Sequence, residues 1–218
     1  MTVPVRVGVL DYGSGNLHSV CQALTAAGAD VTLSSDWAEL DFCEGLVVPG
    51  VGALAACMAG LKDGIGARFI EYWLDYRRPL LGICVGHQVL FGSGVEHGVY
   101  TAGLGALPGV VERLVVRRLP HMGWNTVEPP PTSAMFAGVA GERFYFVHSY
   151  AVHQPVEGIS RLSDDQVTWC KHEGDRFVAA VEGFNMFWST QFHPEKSGAA
   201  GARVLRNWLS AISEGVYR

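Results

Sequence analysis

The sequence predicts an α/β fold: a central, mostly parallel sheet flanked by helices, with an antiparallel extension in the second half. Three observations lead there. Over roughly the first 90 residues, short apolar runs alternate with helical stretches, the pattern of strand–helix–strand units whose sheet is covered on both faces. From about Leu107 to Gln191, candidate strands follow one another with no clear helix between them, which implies antiparallel pairing. The 218 residues are 49% hydrophobic and 17% charged, which excludes disorder and supplies the core of a single large domain over 1–218.

Val5–Leu10 (VRVGVL) reads as a buried strand stopped by Asp11-Tyr12-Gly13. The loop GSGN opens a helix over Leu17–Ala27 that Gly28 closes. Val31–Leu33 and Gly45–Val48 are the next strands, the latter stopped by Pro49-Gly50-Val51-Gly52. A helical stretch over Ala53–Tyr76 breaks near Gly64-Ile65-Gly66, and Pro79–Ile83 is a fourth strand leading into a helix over Val85–Phe91. Gly98–Gly109 and Glu128–Gly141 read as loops. The later strands fall at Gly109–Val116, Arg143–Val147, Gln166–His172, Phe177–Val181 and Met186–Thr190, before a helix over Gly201–Ile212.

A net charge of −5 gives no general attraction to nucleic acid or anionic membrane. Arg113, Arg117 and Arg118 form the one candidate basic patch, and a solvated strand edge explains them equally well. The first residues carry Arg6 and Asp11 and no apolar h-region. The longest uncharged stretch, Gly45–Leu61, is short and broken by Gly and Pro. A cytoplasmic protein with no membrane partner is expected. Five cysteines without CxxC spacing argue against a disulfide framework and a zinc site, so no metal or cofactor is expected.

The chemistry concentrates at Leu80-Leu81-Gly82-Ile83-Cys84-Val85-Gly86-His87-Gln88, where a strand enters a helix with a nucleophile at the junction and Gly two places to either side. This is a cysteine nucleophile elbow: the turn is too tight for side chains at positions 82 and 86. The thiol would sit at a helix N-terminus, and the Val85 N–H would face an oxyanion formed on an attacked carbonyl. A thiol needs a base, and a base needs an orienting group. His193 in Gln191-Phe192-His193-Pro194-Glu195 follows a strand, with Glu195 two residues on, so Cys84, His193 and Glu195 form a candidate triad. His148, which also follows a strand, is the rival base. Pro49–Ala53 is a glycine-rich turn able to present N–H groups to developing charge. It lacks the lysine of a phosphate loop, and Asp11–Asn16 (DYGSGN) is an incomplete dinucleotide fingerprint.

GICVGHQ, FHPEKS and PGVGA together resemble the class I, triad-type glutamine amidotransferases, in order along nearly the whole chain. DYGSGNLHSV, PHMGWN (Pro120–Asn125) and YFVHSY (Tyr145–Tyr150) resemble one branch, glutaminases of histidine biosynthesis that serve a separate (β/α)8 cyclase subunit. The resemblance implies the class I amidotransferase-like fold and glutamine as substrate. It implies Cys84 as the attacking group, His193 as proton carrier and Glu195 as its orienter. Val51, Gly52 and Val85 would hold the oxyanion, while Gln88, Glu96, Ser149 and Tyr150 would hold the ends of glutamine. Asn16, Met122, Trp124 and Asn125 would meet the cyclase, with Met122 and Trp124 on a loop-like segment. A buried structural tryptophan is the competing reading of Trp124. The chain would be nearly silent until docked.

Two details depart from the family pattern: His87 replaces an apolar residue, and Ala53–Gly60 lacks a customary Phe. Three other readings stay open on sequence alone. One is a glutaminase of pyridoxal phosphate or anthranilate synthase, which carry PGGES- or PGPG-like turns instead. The others are a hydrolase of different substrate with the same triad, and a catalytically silent subunit of this fold.

Overall fold

Two strands without a single exposed residue, β3 (Gly45–Gly50) and β4 (Leu80–Cys84), lie side by side at the centre of a seven-stranded sheet. Their unbroken apolar sequence has this cause: a parallel strand covered on both faces cannot alternate with polar residues. Burying Leu80, Leu81 and Ile83 stabilises the fold by about 1.5–3 kcal/mol each. β1 (Arg6–Leu10) and β2 (Asp30–Ser34) extend the sheet on one side in parallel. On the other side β13 (Phe187–Thr190) pairs parallel to β4, and β12 (Asp175–Glu182) and β11 (Val167–His172) add antiparallel. The computed structural model describes residues 3–153, 163–183 and 187–215, so Met186, the first residue of one predicted strand, lies outside the described residues.

The helices cover the faces. α1 (Leu17–Ala27) ends at Gly28 in the left-handed conformation, as the sequence indicates. α3 (Leu54–Asp63) and α4 (Gly66–Asp75) split at the predicted break. α4 buries Gly66, Phe69, Ile70 and Trp73, one stripe at helical spacing. α6 (Gly198–Glu214) starts three residues earlier than predicted and buries Val204, Leu205, Trp208 and Leu209. A short helix, α2 (Trp37–Asp41), escapes the periodicity reading; Asp36 caps it by accepting from the Glu39 N–H at 3.1 Å.

Three expectations need correction. The helix after Cys84 is one turn, α5 (Val85–Gln88), because N–H groups of Leu104, Leu107 and Gly105 take the carbonyls of Val89, Leu90 and Phe91. Phe91–Glu96 continues instead as strand β5, and the loop expected at Gly98–Gly109 holds β6 (Val99–Ala102) and the start of β7 (Leu107–Arg113). With β10 (Tyr150–Val152) these make a second sheet in which β5 and β7 run parallel, while the described strands of Leu107–Gln191 pair with one another antiparallel, as expected. Finally, PHMGWN is not a loop. His121–Thr126 is strand β8, paired antiparallel with β9 (Arg143–His148) in a two-stranded sheet. No helix among the described residues is long and apolar enough to cross a membrane.

Candidate active site

Cys84 closes β4 with φ 56° and ψ −111°, a conformation costing about 1–3 kcal/mol that surrounding structure must enforce. The enforcement is backbone on backbone. A Cβ on Gly86 would stand 1.8 Å from the Val48 carbonyl oxygen of β3, and one on Gly82 would stand 2.7 Å from the Gly86 carbonyl. The first turn of α5 therefore rests directly on the neighbouring strand, which only glycine permits. One turn of helix has little dipole to offer the thiol. The nearer positive charge is an imidazole.

His193 follows β13, whose register against β4 sets Thr190 opposite Ile83. Its Nδ1 lies 2.7 Å from Glu195 Oε1, with both side chains at least 97% buried (3% and 2% exposed). A neutral or cationic imidazole donates there, leaving Nε2 for Cys84; that nitrogen is buried with no hydrogen-bond partner among the described residues. Burial by itself would lower the His193 pKa, but the Cys84 thiol and the Glu195 carboxylate outweigh it and raise it to about 9. The loop is pinned to β9. The His193 N–H donates to Tyr145 O (2.9 Å), while Ser197 Oγ donates to His193 O (2.6 Å) and accepts from Tyr145 N–H (2.9 Å).

Cys84 and His193 open into a pocket of about 220 Å³. Val51, Gly52 and Val85 line it, as do Gln88, Glu96, Ser149 and Tyr150, so the structure brings together every residue expected to hold the oxyanion or the substrate. Their present engagements differ. Gln88 Nε2 donates to Tyr150 O and to Gln191 Oε1, both at 2.9 Å, which leaves its carbonyl oxygen for a ligand. Glu96 Oε2 accepts from the Leu54 N–H (2.8 Å) at the start of α3. The Val51 N–H donates to Ser14 Oγ at 3.2 Å and so does not face the pocket as a free donor in this conformation. Ser14 Oγ also donates to Val51 O (3.0 Å), and Tyr12 Oη donates to Pro49 O (2.5 Å), which holds the whole turn.

The sequence reading missed Ser14, Tyr12, Gln191 and Lys196 as members or supports of this site. Lys196 lines the pocket one residue after Glu195; Gln191 Nε2 approaches Cys84 Sγ at 3.9 Å. His148 also lines the pocket, yet it is no rival base: its nitrogens meet Tyr150 O (3.0 Å) and His121 Nδ1 (2.9 Å), and burial pushes it down to about 3. His87 is wholly buried and meets Ser189 Oγ at 2.7 Å. Burial lowers it to about 3, so it packs as a neutral ring and does not lend charge to the thiol.

Of the residues expected at a partner surface, Met122 (62%) and Trp124 (53%) are exposed, which excludes the buried-tryptophan reading. Asn16 is exposed at the start of α1. Asn125 is different: half-buried, it donates to Lys171 O (3.0 Å) and sits 3.3 Å from His121 Nε2, so its amide is engaged within the chain. The arginines 113, 117 and 118 line a separate surface hollow with Glu173, whose carboxylate accepts from the Arg117 and Arg118 N–H groups.

Residues 8–212 match the family described as glutamine amidotransferase class-I. The chain is 56% identical to the imidazole glycerol phosphate synthase subunit HisH of Corynebacterium glutamicum, over 94% of this chain and 98% of that one. It is 55% identical to the protein of the same name from Cutibacterium acnes, over 98% and 100%, and 50% identical to that of Streptomyces coelicolor, over 95% and 94%. Among solved structures, PurLQS from Thermotoga maritima superposes with a TM-score of 0.72 at 20% identity, covering 95% of this chain and 99% of that one. A structure described as glutamine amidotransferase gives 0.71 at 20%, covering 95% and 98%. Fold and sequence converge: the chain belongs to the class I glutamine amidotransferases, in the branch of the imidazole glycerol phosphate synthase subunits HisH.

Proposed function

We propose that this amidotransferase hydrolyses glutamine through Cys84, His193 and Glu195 and delivers the ammonia to a separate (β/α)8 cyclase subunit. The observation that carries the reading is the strained Cys84 in one pocket with a buried His193 held 2.7 Å from Glu195. Cys84 Sγ attacks the side-chain carbonyl carbon of glutamine, and the thiol proton resides on His193 Nε2. The oxygen becomes an oxyanion, received by the Val85 N–H and by the Val51–Gly52 turn. The carbon–nitrogen bond then breaks, His193 gives its proton to the leaving nitrogen, and ammonia departs. Water attacks the thioester carbon, passes a proton to His193, and glutamate leaves as that proton returns to sulfur. Glu195 keeps the imidazole in one orientation throughout. Gln88, Glu96 and the backbone at Ser149–Tyr150 hold the amino and carboxylate ends of glutamine.

In the heterodimer the cyclase joins ammonia to a phosphoribulosyl-formimino nucleotide, giving imidazole glycerol phosphate and an aminoimidazole carboxamide ribonucleotide in the cytoplasm. Met122, Trp124 and Asn16 meet the cyclase. The lone chain idles because Ser14 holds the Val51 N–H away from the oxyanion, and docking with its acceptor bound frees it. The test is to mix the chain with a cyclase subunit and its nucleotide and measure glutamate release. Activity that appears on mixing and vanishes in Cys84→Ala supports the reading. Glutamine turnover that survives Cys84→Ala, or a lone chain already at the full rate, overturns it.

A further inference from the structure

Strand β8 turns Met122 and Trp124 outward and His121 and Asn125 inward, and the inward pair begins a run of hydrogen bonds that ends in the pocket. The polarity of each bond follows from its acceptor. His148 Nδ1 lies 3.0 Å from the Tyr150 carbonyl oxygen, which can only accept, so Nδ1 carries the proton. Burial, then the neighbouring imidazoles, push His148 down to about 3, so at neutral pH its Nε2 is bare and accepts from His121 Nδ1 at 2.9 Å. His121, pushed down to about 4 by burial and then by His172, is neutral too, and its Nε2 accepts from Asn125 Nδ2 at 3.3 Å. From the other side Gln88 Nε2 donates to the same Tyr150 oxygen at 2.9 Å.

We infer that His121 and His148 are positioning residues of the glutaminase site: a neutral pair, both in the Nδ1–H tautomer, that holds the Tyr150 carbonyl and through it Gln88, and ties that hold to the strand presenting Trp124. The inference rests on the reading above that this pocket takes glutamine. The packing around the pair keeps it neutral. His172 from β11 stacks on His121 with centroids 4.0 Å apart, Phe177 from β12 meets His148 edge-on, Phe146 stacks on His121, and His87 from α5 acts on His148 as another buried imidazole. No carboxylate is among the groups acting on either ring. A proton added to His148 would set two donors face to face at the 2.9 Å contact and break the run at its middle.

Two measurements test this. In 15N-histidine-labelled chain alone, long-range proton–nitrogen correlations should show both rings neutral with the proton on Nδ1 from pH 5 to 8. An Nε2–H tautomer or a cationic ring in either residue at pH 7 overturns the inference whether or not the chain hydrolyses glutamine. In the chain mixed with cyclase subunit and nucleotide, His121→Phe keeps the stacking and removes both nitrogens. It should raise KM for glutamine about tenfold with kcat changed by less than about threefold, the loss of one hydrogen bond felt in binding. His148→Leu should do the same, with His148→Asn, which restores a donor near Tyr150, recovering part of the loss. An unchanged KM in both His121→Phe and His148→Leu overturns the inference. Wild-type protein that never turns over glutamine in the mixture overturns the functional reading instead, and the tautomer result still stands or falls by itself.

Discussion

The elbow at Cys84 and the β8–β9 pair are built on opposite plans. At the elbow every residue of β3 and β4 is buried, and contacts run backbone to backbone, with Gly86 pressed on the Val48 carbonyl. In β8, burial alternates along the strand, and its outer face leaves Met122 and Trp124 to solvent. On the proposed function, catalytic geometry comes from the most constrained part of the molecule, while the strand proposed for recognition leaves one face to solvent. The two meet where β9 grips the loop of His193 through Tyr145 and Ser197.

Breaking the constrained side should cost most. Cys84→Ala is expected to lower glutaminase activity by at least about 10⁴-fold, with His193→Ala close behind, since triad members act as a unit. Cyclase supplied with ammonium salt should still turn over, and thermal unfolding should shift little; a lost fold would blur the contrast drawn above. Glu195→Gln should cost about a hundredfold less than either, as the orienting member does in a comparable triad. It also carries a pH signature. His193 is raised to about 9, so the wild-type rate should fall as pH climbs through about 9 and the proton for the departing nitrogen is lost. Removing the Glu195 charge should move that falling limb to lower pH. By linkage the His193 contribution to stability is complete below its unfolded pKa near 6.5 and disappears as pH rises through about 9.

The outer face sharpens the comparison from the other side. Trp124→Ala should weaken association with the cyclase by about 30-fold, the size of an interface hot spot, and leave the unfolding temperature of the lone chain nearly unchanged. If it instead destabilised the chain and left association alone, β8 would be ordinary core and the contrast would dissolve. Gly86→Ala asks the reverse: it should cost about 1–3 kcal/mol of stability by overpacking against Val48, read from chemical denaturation. The smallest effect belongs to Ser14→Ala. Freeing the Val51 N–H should raise the cyclase-independent glutaminase rate by about three- to tenfold, the worth of one hydrogen bond.

How much of this was legible in the sequence follows the same division. Gly82, Cys84 and Gly86 carry their meaning within five residues, so the elbow could be read directly, and β3 and β4 announced themselves by unbroken apolar runs. β8 could not. His-Met-Gly-Trp-Asn-Thr mixes polar groups and Gly, and what makes it a strand is Met122 against Val147 and Trp124 against Tyr145 across a long connection. Likewise Phe91–Glu96, with two glycines, is a strand because of its partners β6 and β7. The hold of Ser14 on Val51 spans 37 residues and leaves no local trace. α2 was readable in principle, through Asp36 and Glu39, but five residues give no period to detect.

The place of β13 has a consequence for the molecule in the act of being made. It lies between β12 and β4, so the strand that leads into His193 enters the sheet after most of the chain has been synthesised. A ribosome-bound chain that has emerged only as far as β5 holds Cys84 but not His193, the imidazole proposed to take its proton. Such non-local pairing is slow to form because the intervening loop must close first. On the proposed mechanism, then, no chain can hydrolyse glutamine before β13 is in place, however early the elbow at Cys84 forms.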